Sequence, residues 1–148
     1  MYQQFFEEFK NPIQEKLKKT FCSFIIQERI KSTISILNKM SILNVPPSEI
    51  YDIFAVRITL DVPSAYEKRS CWLAYEVVTD FYKPHPEKLR NWISYPKPSG
   101  YQALHTTVMS QPGIWVEVQI RTRRMHTVAE SGNAAHWKYK KDSLCFWK

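Results

Sequence analysis

The chain has 148 residues, 44% of them hydrophobic and 24% charged, with a formal net charge of +7. That is one domain's worth of sequence with an ordinary globular balance; no run approaches the roughly 20 apolar residues that span a bilayer, and the acidic start at Glu7 and Glu8 does not read as a signal peptide. The basic surplus suits a polyanion (nucleic acid, nucleotide phosphates or an anionic surface), but with only Gly100, Gly113 and Gly132 no Gly-rich phosphate loop can be written, so bound phosphates would rest on side-chain cations and a metal.

Residues 2–18 read as an amphipathic helix with Phe5, Phe6 and Phe9 clustered and Pro12 marking a break or a fresh start. An apolar run from Thr20 to Ile26 predicts a short strand. Ile34, Leu37, Met40 and Leu43 recur at helical spacing over 32–43, and Pro46-Pro47 is expected to end that helix. Ile53 to Leu60 is a β-branched-rich strand interrupted by one charge, Arg57. A helix follows over 64–81, with Ala65, Trp72, Tyr75 and Val78 as its inward stripe, and then a Pro-rich loop carrying Lys88, Arg90 and Lys97. Two strands, 103–109 and 114–122, are joined by a turn at Gln111-Pro112-Gly113, and Thr122 or Thr127 opens a last helix running toward Trp137. Helices around a few strands, without strict alternation, predict an α+β fold. Cys22, Cys71 and Cys145 have neither disulfide-framework nor zinc spacing, which points to a reducing, cytoplasmic setting.

The chemistry concentrates on the last two strands. Period-2 alternation sends Val116, Val118 and Ile120 to one face and Glu117, Gln119 and Arg121 to the other. A solvated face is the ordinary reading of a lone strand. On the neighbouring strand, however, His105 and Thr107 share the side opposite Leu104, Thr106 and Val108, so the two strands together predict a polar floor. Asp52, just before the strand 53–60, is either a turn former or a second carboxylate that with Glu117 meets the needs of magnesium, which takes one or two acids and leaves positions for phosphate oxygens. Arg29 and Lys31, expected just before a helix, and Lys88, Arg90 and Lys97 are candidate phosphate cations. Tyr101, following Gly100, is either a core tyrosine or a ring free to stack on a nucleobase.

The segments ERIKSTISILNKM (28–40), YDIFAVRI (51–58), YPKPSGYQALHTTV (95–108), VEVQIRT (116–122) and MHTVAESGNAAHWKYK (125–140) resemble, in order and spacing, the synthetase domain of RelA/SpoT-type alarmone synthetases. The AAHWKYK stretch is typical of the long, multidomain members. The resemblance implies a mixed sheet flanked by helices, related to nucleotidyltransferases, and a reaction that moves pyrophosphate from ATP to the 3′-hydroxyl of GDP or GTP with Mg2+. It implies that Asp52 coordinates the metal and that Glu117 completes the metal site or acts as base. Arg29, Lys31 and Arg57 would hold ATP. Tyr101 would stack on guanine, with Lys97, His105 and Gln119 near the acceptor, Lys88, Arg90 and Arg121 adding cations, and His126 and Glu130 buttressing the site.

The implied layout is an N-terminal helix and connecting strand over 1–28, the synthetase domain over 29–141 and a remnant over 142–148, with no membrane contact. RNA or ribosome contact would run only through regions outside this chain, and neighbouring hydrolase and regulatory domains are expected in the parent protein; nothing in the sequence fixes an oligomeric state. Three positions depart from the family pattern. Lys88-Leu89-Arg90-Asn91 stands where Arg-x-Lys-Asp is usual, Ser99 replaces the usual Asn before Gly-Tyr, and Ile30 replaces a proline. The rival readings are a weak or degenerate synthetase fold serving as a regulatory or RNA-binding module, and a nucleotidyltransferase making another product.

Overall fold

The computed structural model describes residues 2–131; the expected helix extension to Trp137, the AAHWKYK stretch, Cys145 and the 142–148 remnant lie outside the described residues. The order of elements is α1 (Gln3–Thr20), β1 (Phe24–Ile30), α2 (Thr33–Leu43), β2 (Phe54–Leu60), α3 (Glu67–Phe81), β3 (Lys83–Pro84), β4 (Arg90–Asn91), β5 (Leu104–Met109), β6 (Trp115–Thr122) and α4 (Arg123–Glu130). The six strands form one mixed sheet in the order β1-β2-β6-β5-β3, with β4 also pairing β5. The α+β reading with a mixed sheet flanked by helices holds.

The sheet's two faces differ sharply. On one, Val56, Ile58 and Leu60 of β2, Val116, Val118 and Ile120 of β6, and Leu104 and Val108 of β5 meet α1 and α3. Helix α1 presents Phe6, Phe9, Ile13 and Leu17, all buried, at the i, i+3, i+7, i+11 spacing of a core-facing stripe. Contrary to the expected break, α1 runs straight through Pro12. Proline removes one helical hydrogen bond, but buried Phe9 and Ile13 on either side anchor both halves to the same core. Tyr82 stacks on Phe9, ring centroids 4.4 Å apart, and its hydroxyl donates to the Phe9 carbonyl at 2.8 Å.

Other boundaries moved for local reasons. Residues 20–23 finish α1 and turn the chain, so the first strand lies four residues later than its apolar run suggested and carries Gln27, Glu28 and Arg29. A polar edge strand is permitted because only alternate residues face the core; Glu28 is paired to Lys10 at 2.6 Å. The boundary at residues 28–29 falls within β1. Helix α2 ends on Asn44 in the left-handed conformation (φ 55°), before the Pro46-Pro47 pair is reached. In α3 the buried residues are Glu67, Ser70, Cys71, Ala74, Val77 and Val78, so the inward stripe is rotated from the expected one, and Trp72 and Tyr75 sit half-buried at its border. The β5–β6 turn is as expected: Gly113 adopts φ 84°, and Ser110 Oγ donates to the Ile114 carbonyl at 2.6 Å. Among the described residues no helix is long and apolar enough to cross a membrane.

Candidate active site

The sheet's second face is built from the polar half of each strand. In the antiparallel β5–β6 register His105 faces Gln119 and Thr107 faces Glu117; in the parallel β2–β6 register Arg57 lies beside Gln119 and Thr59 beside Arg121. Arg29 on β1 is opposite Ala55, and Arg90 on β4 is opposite His105. Strand alternation therefore delivers Glu117, Gln119, Arg121 and His105 to one surface, as period-2 reasoning expected, and adds Arg29, Arg57 and Arg90 to it from strands where that reasoning had not placed them.

Side-chain bonds give this surface a fixed order. Gln119 Nε2 donates to Glu117 Oε1 at 2.8 Å, and Gln119 Oε1 accepts from Arg57 Nε at 3.3 Å, so one amide bridges acid and cation. Burial pushes the Glu117 carboxyl above its ordinary range, and the nearby Asp52 charge adds to this against the Gln119 hydrogen bond. Burial and the neighbouring Arg121 charge pull Arg57 down: its cationic form is costly here and would gain from an anion. Arg121, 1% exposed, lies 5.9 Å from the Tyr101 ring centroid, and its Nη2 donates to His126 Nδ1 at 2.6 Å. Since a guanidinium only donates, His126 carries its proton on Nε2. Glu130, from the next turn of α4, opposes the depressed pKa of both Arg57 and Arg121, so the His126–Glu130 pair backs the arginines.

Asp52 reaches the site from the chain just before β2. Lys39 Nζ lies 3.0 Å and Lys31 Nζ 3.4 Å from its Oδ2. Burial alone would raise this carboxyl, but the two ammonium groups outweigh it and hold Asp52 below the ordinary range. Its Oδ1 is buried with no hydrogen-bond partner among the described residues. Asp52 and Glu117 both line a cleft of about 210 Å³, with Lys39, Tyr51, Lys88, Arg90, Trp92, His105 and Thr107 in its walls. Two carboxylates, one with an unsatisfied buried oxygen, suit a hard divalent cation that completes its shell with water and phosphate.

Two expectations need correction. Arg29 belongs to β1, not to a helix start, while Lys31 does stand just before α2, its own backbone N–H bonded to the Ile53 carbonyl at 2.7 Å. The first turn of α2 is capped by Ser32, whose Oγ accepts from Ser35 N–H at 3.1 Å. Tyr101 is neither a plain core residue nor a free ring: half-buried, it holds His105 Nε2 through its hydroxyl at 2.8 Å and meets Trp92 edge-on at 6.1 Å.

The loop cations are parked on aromatic rings or backbone. Lys97 Nζ stands 4.1 Å from the Trp92 ring centroid, Lys88 Nζ 4.6 Å from that of Tyr51, and Arg90 Nη1 bonds the Glu87 carbonyl at 3.1 Å. Asn91 Oδ1 accepts from Ile93 and Ser94 N–H at 3.2 and 3.1 Å, a turn that a carboxylate in its place would make equally well. Ser99 does not take over turn work with its side chain. Its buried Oγ has no partner among the described residues, and the turn closes through Gly100 N–H to the Lys97 carbonyl at 2.8 Å, with Gly100 at φ 90°.

Lys39, Trp92 and Tyr51 were missed by the sequence reading. Lys39 had a usable signal: it is the only charged side chain between Lys31 and Glu49.

A family model described as "Region found in RelA / SpoT proteins" matches residues 28–144. A Synechocystis protein named probable guanosine-3′,5′-bis(diphosphate) 3′-pyrophosphohydrolase is 45% identical over 117 residues, covering 79% of this chain and 15% of that protein. An Escherichia coli protein named GTP pyrophosphokinase is 37% identical over 138 residues, covering 93% of this chain and 18% of that protein. The chain thus spans less than a fifth of these curated relatives. Among solved structures, the small alarmone synthetase 1 from Bacillus subtilis matches with a TM-score of 0.62 at 21% identity, covering 92% of this chain and 80% of that one, so the fold is shared.

Proposed function

The chain belongs to the RelA/SpoT family, and from that premise we propose that its cleft transfers the β,γ-pyrophosphoryl group of ATP to the 3′-hydroxyl of GDP or GTP. The observation that carries this reading is the meeting of Asp52 and Glu117 in one cleft, beside a sheet face crowded with arginines. Acids alone would repel phosphate, and cations alone would suit any polyanion; together they fit a nucleotide brought with a metal. The two curated relatives carry names for making and for breaking the same class of nucleotide, and this chain overlaps both. The cleft's acid–cation arrangement favours synthesis as the activity of this segment.

Asp52 and Glu117 are the residues that would hold Mg2+, whose contribution when bound is to neutralise phosphate charge. Arg29, Arg57, Lys31 and Lys39 receive the ATP side. Tyr101, His105 and Lys97 receive the guanosine nucleotide, with Lys88, Arg90 and Arg121 available to its phosphates. Glu117 either completes that metal site or takes the proton of the 3′-hydroxyl as base, a role its carboxyl, pushed up by burial, suits when it holds no metal. The new bond joins the 3′-oxygen to the β-phosphorus as the bond from that phosphorus to the α,β-bridging oxygen breaks, and AMP leaves. Positioning and charge neutralisation supply most of the rate. The setting is cytoplasmic, with RNA or ribosome contact and the partner hydrolase and regulatory domains lying outside this segment.

The test is a Mg2+-dependent turnover assay with labelled ATP and GDP or GTP, run beside Glu117→Gln. A tetra- or pentaphosphate product that drops at least ~10²-fold in the variant supports the reading, since a positioned base contributes about 10²–10⁴. No product and no nucleotide binding would sink it. Tyr101→Ala should raise the KM for the guanosine nucleotide about tenfold while leaving that for ATP near wild type, because one base–aromatic stack is worth about 1–3 kcal/mol. An equal rise for both substrates would remove Tyr101 from the acceptor site.

A further inference from the structure

Lys31 and Asp52 stand at the two ends of the excursion that carries α2 away from the sheet. Between them the chain makes the whole helix, and α2 sends no side chain into the buried core. The neck is closed twice, by the Lys31 N–H to the Ile53 carbonyl at 2.7 Å and by Lys31 Nζ to Asp52 Oδ2 at 3.4 Å. Lys39 adds a third tie, reaching back from α2 to the same Oδ2 at 3.0 Å. The two lysines differ in freedom: the Lys31 side chain is 10% exposed and that of Lys39 is 40% exposed.

We propose that Lys31, Lys39 and Asp52 form an electrostatic interlock that makes cation binding and polyphosphate binding mutually dependent. The proposal rests on the synthetase reading above. A carboxylate flanked by two ammonium groups is a net positive cluster. A divalent cation approaching Oδ1, which has no hydrogen-bond partner among the described residues, meets two like charges on the far side of the same carboxyl group, so the metal alone binds weakly. The ammonium groups in turn are held by Asp52, so a polyphosphate alone must compete with a carboxylate for them. When both arrive, each removes the other's obstacle: phosphate oxygens take the lysines, and the cation takes the acid. Lys39 is the arm that moves, being the more exposed and borne on a helix without a core anchor, while Lys31 stays fixed by its backbone bond. Linkage requires the effect to be reciprocal, and couplings of this kind commonly run to about 5–150-fold.

Two binding measurements test the interlock without any turnover. In EDTA, a fluorescent non-hydrolysable ATP analogue should bind Asp52→Asn about fivefold or more tightly than wild type, although that variant has lost one of the two carboxylates assigned to the metal. Glu117→Gln, which removes an acid from the same cleft but one bonded to Gln119 and not to a lysine, should gain much less. In the absence of nucleotide, Mn2+ followed by electron paramagnetic resonance should bind Lys39→Met more tightly than wild type by a similar factor. The interlock is overturned if Asp52→Asn binds the metal-free analogue no better than wild type or only as well as Glu117→Gln, or if Lys39→Met leaves the Mn2+ affinity unchanged. In those cases a wild-type protein that still binds the analogue keeps the synthetase reading intact. A wild-type protein that binds no analogue with or without Mg2+ overturns both.

Discussion

Burial, with Lys97, Arg57, Arg121 and Arg90 around it, pushes the His105 imidazole from its usual 6.5 down to about 3, so the ring that bonds Tyr101 is neutral across the physiological range. The consequence for stability has a definite sign. Between those two values the unfolded chain binds a proton that the folded chain refuses. His105 therefore costs no stability above about pH 6.5, and stability falls as the pH drops toward 3, by about 1.4 kcal/mol per pH unit for that single proton. Urea denaturation at pH 7, 6 and 5 should show a shallower decline for His105→Gln than for wild type; parallel curves would mean that the ring protonates in the folded state. The same residue shows what the sequence could reveal. Glu117, Gln119, Arg121 and His105 were recognisable because strand alternation is strict and each lies on a strand long enough to show it, whereas Arg57 read only as one charge in an apolar strand until the resemblance gave it a role. Tyr51 was not, because it contributes by lying under Lys88, far along the chain, and Trp92 was not, because it meets Lys97 across an irregular loop; no local period encodes either relation.

Helix α4 depends on one hydroxyl. Thr122 ends β6 and caps the helix, its Oγ1 accepting from Met125 N–H at 3.3 Å while donating to buried Glu67 Oε2 at 2.6 Å. Arg124 then closes the group, Nε to both Glu67 oxygens at 2.9 Å and Nη2 to Gln102 at 2.9 Å, tying α3, α4 and the segment before β5. Thr122→Ala removes a cap and one partner of a buried carboxylate and should cost about 1–2 kcal/mol in denaturant unfolding, whereas Thr122→Ser should stay close to wild type. Loss in both variants would point to the methyl group instead. At this scale the sequence was legible wherever a chemical signal sat at the boundary, as with Thr122 before α4 and Pro112-Gly113 in the hairpin. It failed where packing decided. In α3 the small residues Ser70, Cys71 and Ala74 allow close approach to the sheet, which turns bulky Trp72 and Tyr75 to the rim even though hydrophobicity alone would place them inside.

Among the described residues, α1 and α3 pack on one face of a single sheet, and the other face carries the polar side chains, with α4 at its margin. The +7 surplus includes Arg29, Arg57, Arg90 and Arg121, gathered on that polar face. The fold class followed from element order, but the strand order did not, because hydrophobic runs look alike whichever neighbour they pair with. The pairing of β2 with β6 is the parallel one, and it joins residues such as Arg57 and Gln119 that stand 62 positions apart. Its consequence belongs to folding kinetics. A hairpin such as β5–β6 can zip from its own turn, but β2 can meet β6 only after the intervening chain has closed a long loop, the slow kind of contact for a small domain. A nascent chain that ends before residue 116 can hold the β1–β2 pairing with Arg29 and Arg57 on it, yet it lacks Gln119, the amide that Arg57 bonds, and the Glu117 carboxylate on the other side of that amide.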